Sequence, residues 1–195
     1  MIRLTLGLAA VGASTFALGT ASAAISPTKL YAALLTKSYP DSQLPNGFLS
    51  AKVGISSPSK AAKKLHVVGE VEVDVDGPDP DDGLLYVIFP KVSEAKADLA
   101  RKPTGGHMHL IPGGVPGIKL PSQLWAGSIT GKNAFGKTVT DGATAVDVRK
   151  GNVVLGAITD SSDNKNSGNI PGAIALVKSG LHHLSAVEKK ISRKH

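Results

Sequence analysis

The residues best suited to chemistry in this chain lie in the stretch GGHMHLIPGG, residues 105–114. In extended backbone, positions i and i+2 face the same side, so His107 and His109 could offer both imidazoles to one copper or zinc ion while Met108 points away. Two ligands fall short of the four that close a structural site. A third would have to arrive through folding, from His66 or from the pair His182-His183. The competing reading, a glycine- and proline-rich connection that happens to hold two histidines, is the simpler one. His107 and His109 are kept as the candidate metal ligands.

Three further patterns invite a chemical reading. Residues 131–138, GKNAFGKT, match the phosphate-loop pattern G-x-x-x-x-G-K-[ST]. That chemistry needs a strand before the loop and a helix after it, so that amides and dipole converge on phosphate. The following VTDGATAVDV is rich in β-branched residues and reads as a strand, so no nucleotide site is expected. The acidic run EVEVDVDGPDPDDG suggests calcium, but a helix–loop–helix register begun at Asp74 puts Pro78 and Leu85 where ligands are required. A polar strand face followed by a turn explains it. His182 and His183 are adjacent on a helix, pointing about 100° apart, whereas zinc helices use i and i+4 spacing. They read as a partly exposed surface pair. No nucleophile motif and no cofactor motif is present, and the absence of cysteine excludes thiol catalysis, thiolate metal sites and disulfides.

The start of the chain, MIRLTLGLAAVGASTFALGTASA, carries Arg3, an uncharged apolar stretch and the small-x-small run Ala21-Ser22-Ala23. This is the pattern of a secretory signal peptide over residues 1–23. Glycine, serine and threonine interrupt it, and it is shorter than the ~20 strongly apolar residues of a membrane span. The expectation is a secreted or periplasmic protein, not membrane-spanning, with one domain over residues 24–195.

The formal charge is +7, and it is polarised. Glu70, Glu72, Asp74, Asp76, Asp79, Asp81 and Asp82 crowd one short stretch, whereas Lys189, Lys190, Arg193 and Lys194 end the chain. That basic end could meet an anionic envelope component. Aromatic residues are only 4% of the chain, too few for a base-stacking platform, so nucleic acid is not an expected partner.

The elements that must position these residues follow from periodicity. Residues 27–39 read as a helix ended by Pro40, and 48–55 as a strand. VVGEVEVDVD (67–76) alternates strictly, with Val71, Val73 and Val75 on one face and acids on the other. GLLYVIF (83–89) is a second strand, followed by a helix over 91–102. After a connection at 103–121 come a strand at 124–129, a hairpin of 143–149 with 152–160, and a long helix over 171–191.

A strand–hairpin–helix unit therefore occurs twice, at about 27–102 and 122–191, with Val-Asp-Val shared at 73–75 and 146–148. The expected fold is α+β: a single antiparallel sheet of about five or six strands flanked by helices. Val71, Val73, Val75, Leu85, Val87, Phe89, Val146, Val148, Val153 and Leu155 are expected on the helix-covered face, under Ile174, Val177, Leu181 and Leu184. A ligand cleft is expected where the connection borders that sheet.

The closing pattern ATAVDVRKGNVVLGAITD and IPGAIALVKSGLHHLSAV resembles the extracellular sensor-like domains of actinobacterial Ser/Thr kinases of the PknH type and related exported proteins. LLTKSYPDSQLPNGF and YVIFPKVSEAKADLA resemble the family's early helix and its middle strand–helix. The resemblance implies a helix-flanked antiparallel sheet with a cleft that binds a ligand or partner without catalysis, and it transfers no site residues. The chain lacks the cysteines typical of those domains. The expected function is an exported noncatalytic sensor-like or ligand-binding module for an unknown small molecule or envelope component. The alternatives are an envelope interaction protein using its basic end, and a weak metal-binding protein or small enzyme.

Overall fold

The computed structural model describes residues 25–58, 60–78, 82–102, 106–132, 137–161 and 167–193. The expected signal peptide lies outside them, as do parts of the acidic turn and of GKNAFGKT. Helix α1 (Pro27–Thr36) starts on a proline suited to a first turn and precedes a short 3₁₀ turn (Asp41–Gln43). Strand β1 (Ser50–Ser56), the short helix α2 (Lys60–Lys64), strands β2 (Gly69–Asp76) and β3 (Gly83–Ile88) and helix α3 (Val92–Leu99) follow. Strands β4 (Gly106–Ile111), β5 (Ser122–Lys132), β6 (Thr138–Lys150) and β7 (Val153–Ser161) lead to helix α4 (Ile170–Ser192).

The seven strands form one antiparallel sheet in the order β1-β2-β3-β7-β6-β5-β4. The α+β class is as the alternation implied, with one strand more than expected. The extra strand is β4, which carries GGHMHLIPGG: glycine and proline at both flanks disguise an edge strand as a connection. A second correction concerns β3. Leu84, Tyr86 and Ile88 join the main core, whereas Leu85, Val87 and Phe89 face the other side. GLLYVIF is apolar on both faces, so its pattern carries no phase from which to tell them apart.

Both sheet faces consequently have helices. On the first, α1 and α4 cover Val71, Val73, Leu84, Tyr86, Val146 and Leu155, among others. On the second, α3 brings Ala95 and Leu99 onto Val87, Phe89 and Val154. Helix α4 is capped by the Asn169 side chain, which accepts from Gly172 N at 2.9 Å. It buries Leu176, Val177, Leu184 and Val187, while Ile174 and Leu181 sit half-buried at the margin. Gly180 allows the closest approach: a Cβ there would stand 2.8 Å from Leu155 Cδ2, and Tyr86 Oη donates to the Gly180 carbonyl at 3.1 Å. Between β6 and β7 a two-residue turn places Gly151 at φ 60°, in the left-handed region that glycine tolerates.

Candidate ligand-binding concavity

The two Val-Asp-Val segments have a structural meaning. In both, the valines enter the main core and the aspartate faces the opposite side of the sheet. Asp74 lies opposite Gly83 on β3, and Asp147 lies opposite Gly156 on β7. Across the central β3–β7 seam, Gly83 pairs with Ile158 and Gly156 pairs with Leu85. The two hairpins are thus related by a local twofold through that seam, which carries Asp74, Gly83 and Leu85 onto Asp147, Gly156 and Ile158. Helices α3 and α4 break this symmetry by packing on opposite faces.

All six of those residues line one concavity of about 580 Å³ on the second face, beyond the region that α3 covers. Its floor is low because two adjacent central strands each present a glycine there; an isolated glycine in a strand commonly marks such a close approach. Ala145 and Ile129 extend the apolar lining, and Glu72, Asp82 and Asp160 add carboxylates. Among the described lining residues five are acidic and none is basic. Among the described residues the cleft does not border the connection at 103–121, the place expected from the sequence, because that segment holds β4 at the far edge of the sheet.

Asp147 is the unusual member. Half-buried, it has no side-chain hydrogen bond or ion pair among the described residues, and desolvation by the surrounding protein raises its pKa to about 6. Asp82 and Asp160 are buried, and Glu72 and Asp74 are exposed. The carboxylates are too dispersed to hold an ion together: among the described residues no group of three or more His, Asp or Glu side chains could ligate a metal.

His107 and His109 both project, exposed, from the same side of β4, while Met108 is buried against Trp125 and Ala143 on the other. The i, i+2 geometry is realised, and no third ligand joins the pair among the described residues. GKNAFGKT joins two strands: Gly131 pairs with Val139 and Lys132 with Thr138, so no helix follows to receive phosphate. His182 is exposed as expected, but His183 is buried and the surface-pair reading fails for it. The reason is that the buried stripe of α4 is centred on Val177 and Gly180, which turns His183 inward. Its ring lies 4.6 Å from that of Tyr39, and Nδ1 is 3.2 Å from Gln43 Oε1. Tyr39 Oη meets Ser179 Oγ at 2.5 Å, and that serine donates to the Gln43 carbonyl. Burial, then the neighbouring His182 and Lys37, lower the pKa of His183. This cluster pins the 3₁₀ turn to α4.

No protein-family model, curated protein or solved structure matches the chain.

The sequence reading missed the concavity because alternation assigns Asp74 and Asp147 to an outer face without saying whether that face is flat or hollow. The usable signal was Gly83 and Gly156, the two glycines set opposite the repeated aspartates.

Proposed function

We propose that this protein is an exported, noncatalytic ligand-binding module of sensor-like type, and that its ligand is a small molecule with an apolar body and a positive charge. The observation that carries this reading is the concavity itself: an apolar floor of Leu85, Ala145 and Ile158 walled by carboxylates, with Asp147 desolvated and without a side-chain partner among the described residues. An apolar pocket with a few convergent polar groups is the usual form of a ligand site. A cation there would return to Asp147 the favourable interaction that burial removed.

Amide-shift mapping by NMR with octylamine tests the reading. The expected shifts gather on Gly83, Leu85, Ala145, Asp147, Gly156 and Ile158. Shifts confined to α4, or none at millimolar amine, would refute it. A second reading has its own observation: α4 exposes Lys178, His182, Lys189, Lys190 and Arg193 along its outward side. Such a stripe suits an anionic envelope component, and binding of anionic vesicles that Lys189→Glu with Lys190→Glu abolishes would support it.

A further inference from the structure

We propose that the concavity is built for a linear dication, one positive end at Asp74 and the other at Asp147, with the carbon chain lying over Leu85 and Ile158. This rests on the ligand-binding reading above and adds the ligand's charge number and length. The local twofold is what carries it. A site for a single charge needs one carboxylate at one end, whereas here each half of the sheet supplies the same set of aspartate, facing glycine and apolar floor residue. The sets run head to tail across the β3–β7 seam, so the apolar residues lie between the two aspartates.

Neither aspartate is occupied internally: Asp74 and Asp147 have no side-chain hydrogen bond or ion pair among the described residues. Lys52, opposite Asp74 on β1, is the basic group nearest in register, and it is exposed at the sheet edge. Three strand spacings and a two-residue stagger separate the two aspartates, about 16 Å between Cα atoms on a flat sheet. An extended eight-carbon chain with an amine at each end spans about 11 Å, and two charge-assisted contacts of about 2.8 Å bring the reach to a matching length. Dispersed carboxylates with no metal-ligating group among the described residues suit two separate ammonium heads rather than one compact ion.

Calorimetry with diaminooctane, octylamine and octanediol, at about pH 7.5 so that Asp147 is ionised, separates the possibilities. The expected order is diaminooctane tightest, by about two- to fivefold over octylamine, as for one added ion pair at an exposed carboxylate, with octanediol weakest. Asp74→Asn should erase the advantage of the diamine while leaving octylamine binding in place, with Tm unchanged to confirm folding. Octylamine binding as tightly as diaminooctane, or an advantage that survives Asp74→Asn, would overturn the dication proposal and leave the ligand-binding reading standing. No binding of any of the three would overturn both.

Discussion

Asp147 faces Gly156 across the β6–β7 pair, and a Cβ at position 156 would stand 3.1 Å from its Oδ1. The absent side chain leaves the carboxyl a hollow rather than a neighbour. The same protein that shapes the hollow withholds water from Asp147, so it holds its proton to about pH 6. A carboxylate in this condition is costly to the fold until something positive meets it.

Asp147 therefore contributes to stability with a definite sign. Its folded pKa lies above the unfolded value near 3.9, so the contribution is fully present below about pH 4 and is lost as pH rises through about 6. Asp147→Asn should raise Tm at neutral pH, by up to about 2 kcal/mol of stability once its open side is allowed for. Melting curves of both proteins from about pH 4 to 8 check this. An unchanged Tm at neutral pH would mean that the carboxyl is well solvated.

His183 has the opposite sign. Its folded pKa is depressed below the ordinary value of 6.5, so its contribution is present above about pH 6.5 and is lost as pH falls toward the folded value. NMR titration should place His183 below the ordinary histidine value of about 6.5. Protection of the Gln43 and Leu44 amides, corrected for the slower intrinsic exchange in acid, should also fall, in the turn that the histidine holds. His183 titrating at or above about 6.5 would contradict the buried placement.

Much of the architecture was legible, and the parts that were not share a cause. Strict alternation in VEVDVD identified the faces of β2, because only one of them is apolar. GLLYVIF is apolar throughout, so the side on which Leu85, Val87 and Phe89 would lie was undetermined, and the structure turns them to the face that carries α3, with Val87 and Phe89 beneath the helix and Leu85 beyond it. Strand β4 went unseen because an edge strand with glycine on both flanks shows little periodicity. His183 was misplaced because the final helix has apolar residues around more than half its girth, so the burial stripe could be drawn through Leu181 or through Gly180. The curvature of a sheet face, on which the candidate site depends, arises from residues on six strands at once and has no local signature.

The corrected stripe on α4 gives a test by mutation. Leu184 is fully buried and Leu181 is at the margin. Leu184→Ala should cost about 2–5 kcal/mol, as for other core leucines, and Leu181→Ala clearly less. Denaturant titrations of the two variants check the order. Equal losses would mean that the helix is rotated from the position described.

The most direct measurement is the affinity of octylamine for Gly156→Val against the unaltered protein, by calorimetry. Valine suits a central strand, and its side chain would occupy the floor of the hollow beside Asp147. The expected result is a cooperative melt close to that of the unaltered protein and at least a roughly tenfold loss of affinity, about 1.4 kcal/mol. Undiminished binding by a folded Gly156→Val protein would contradict the site, because the ligand would then lie somewhere other than between Asp74 and Asp147.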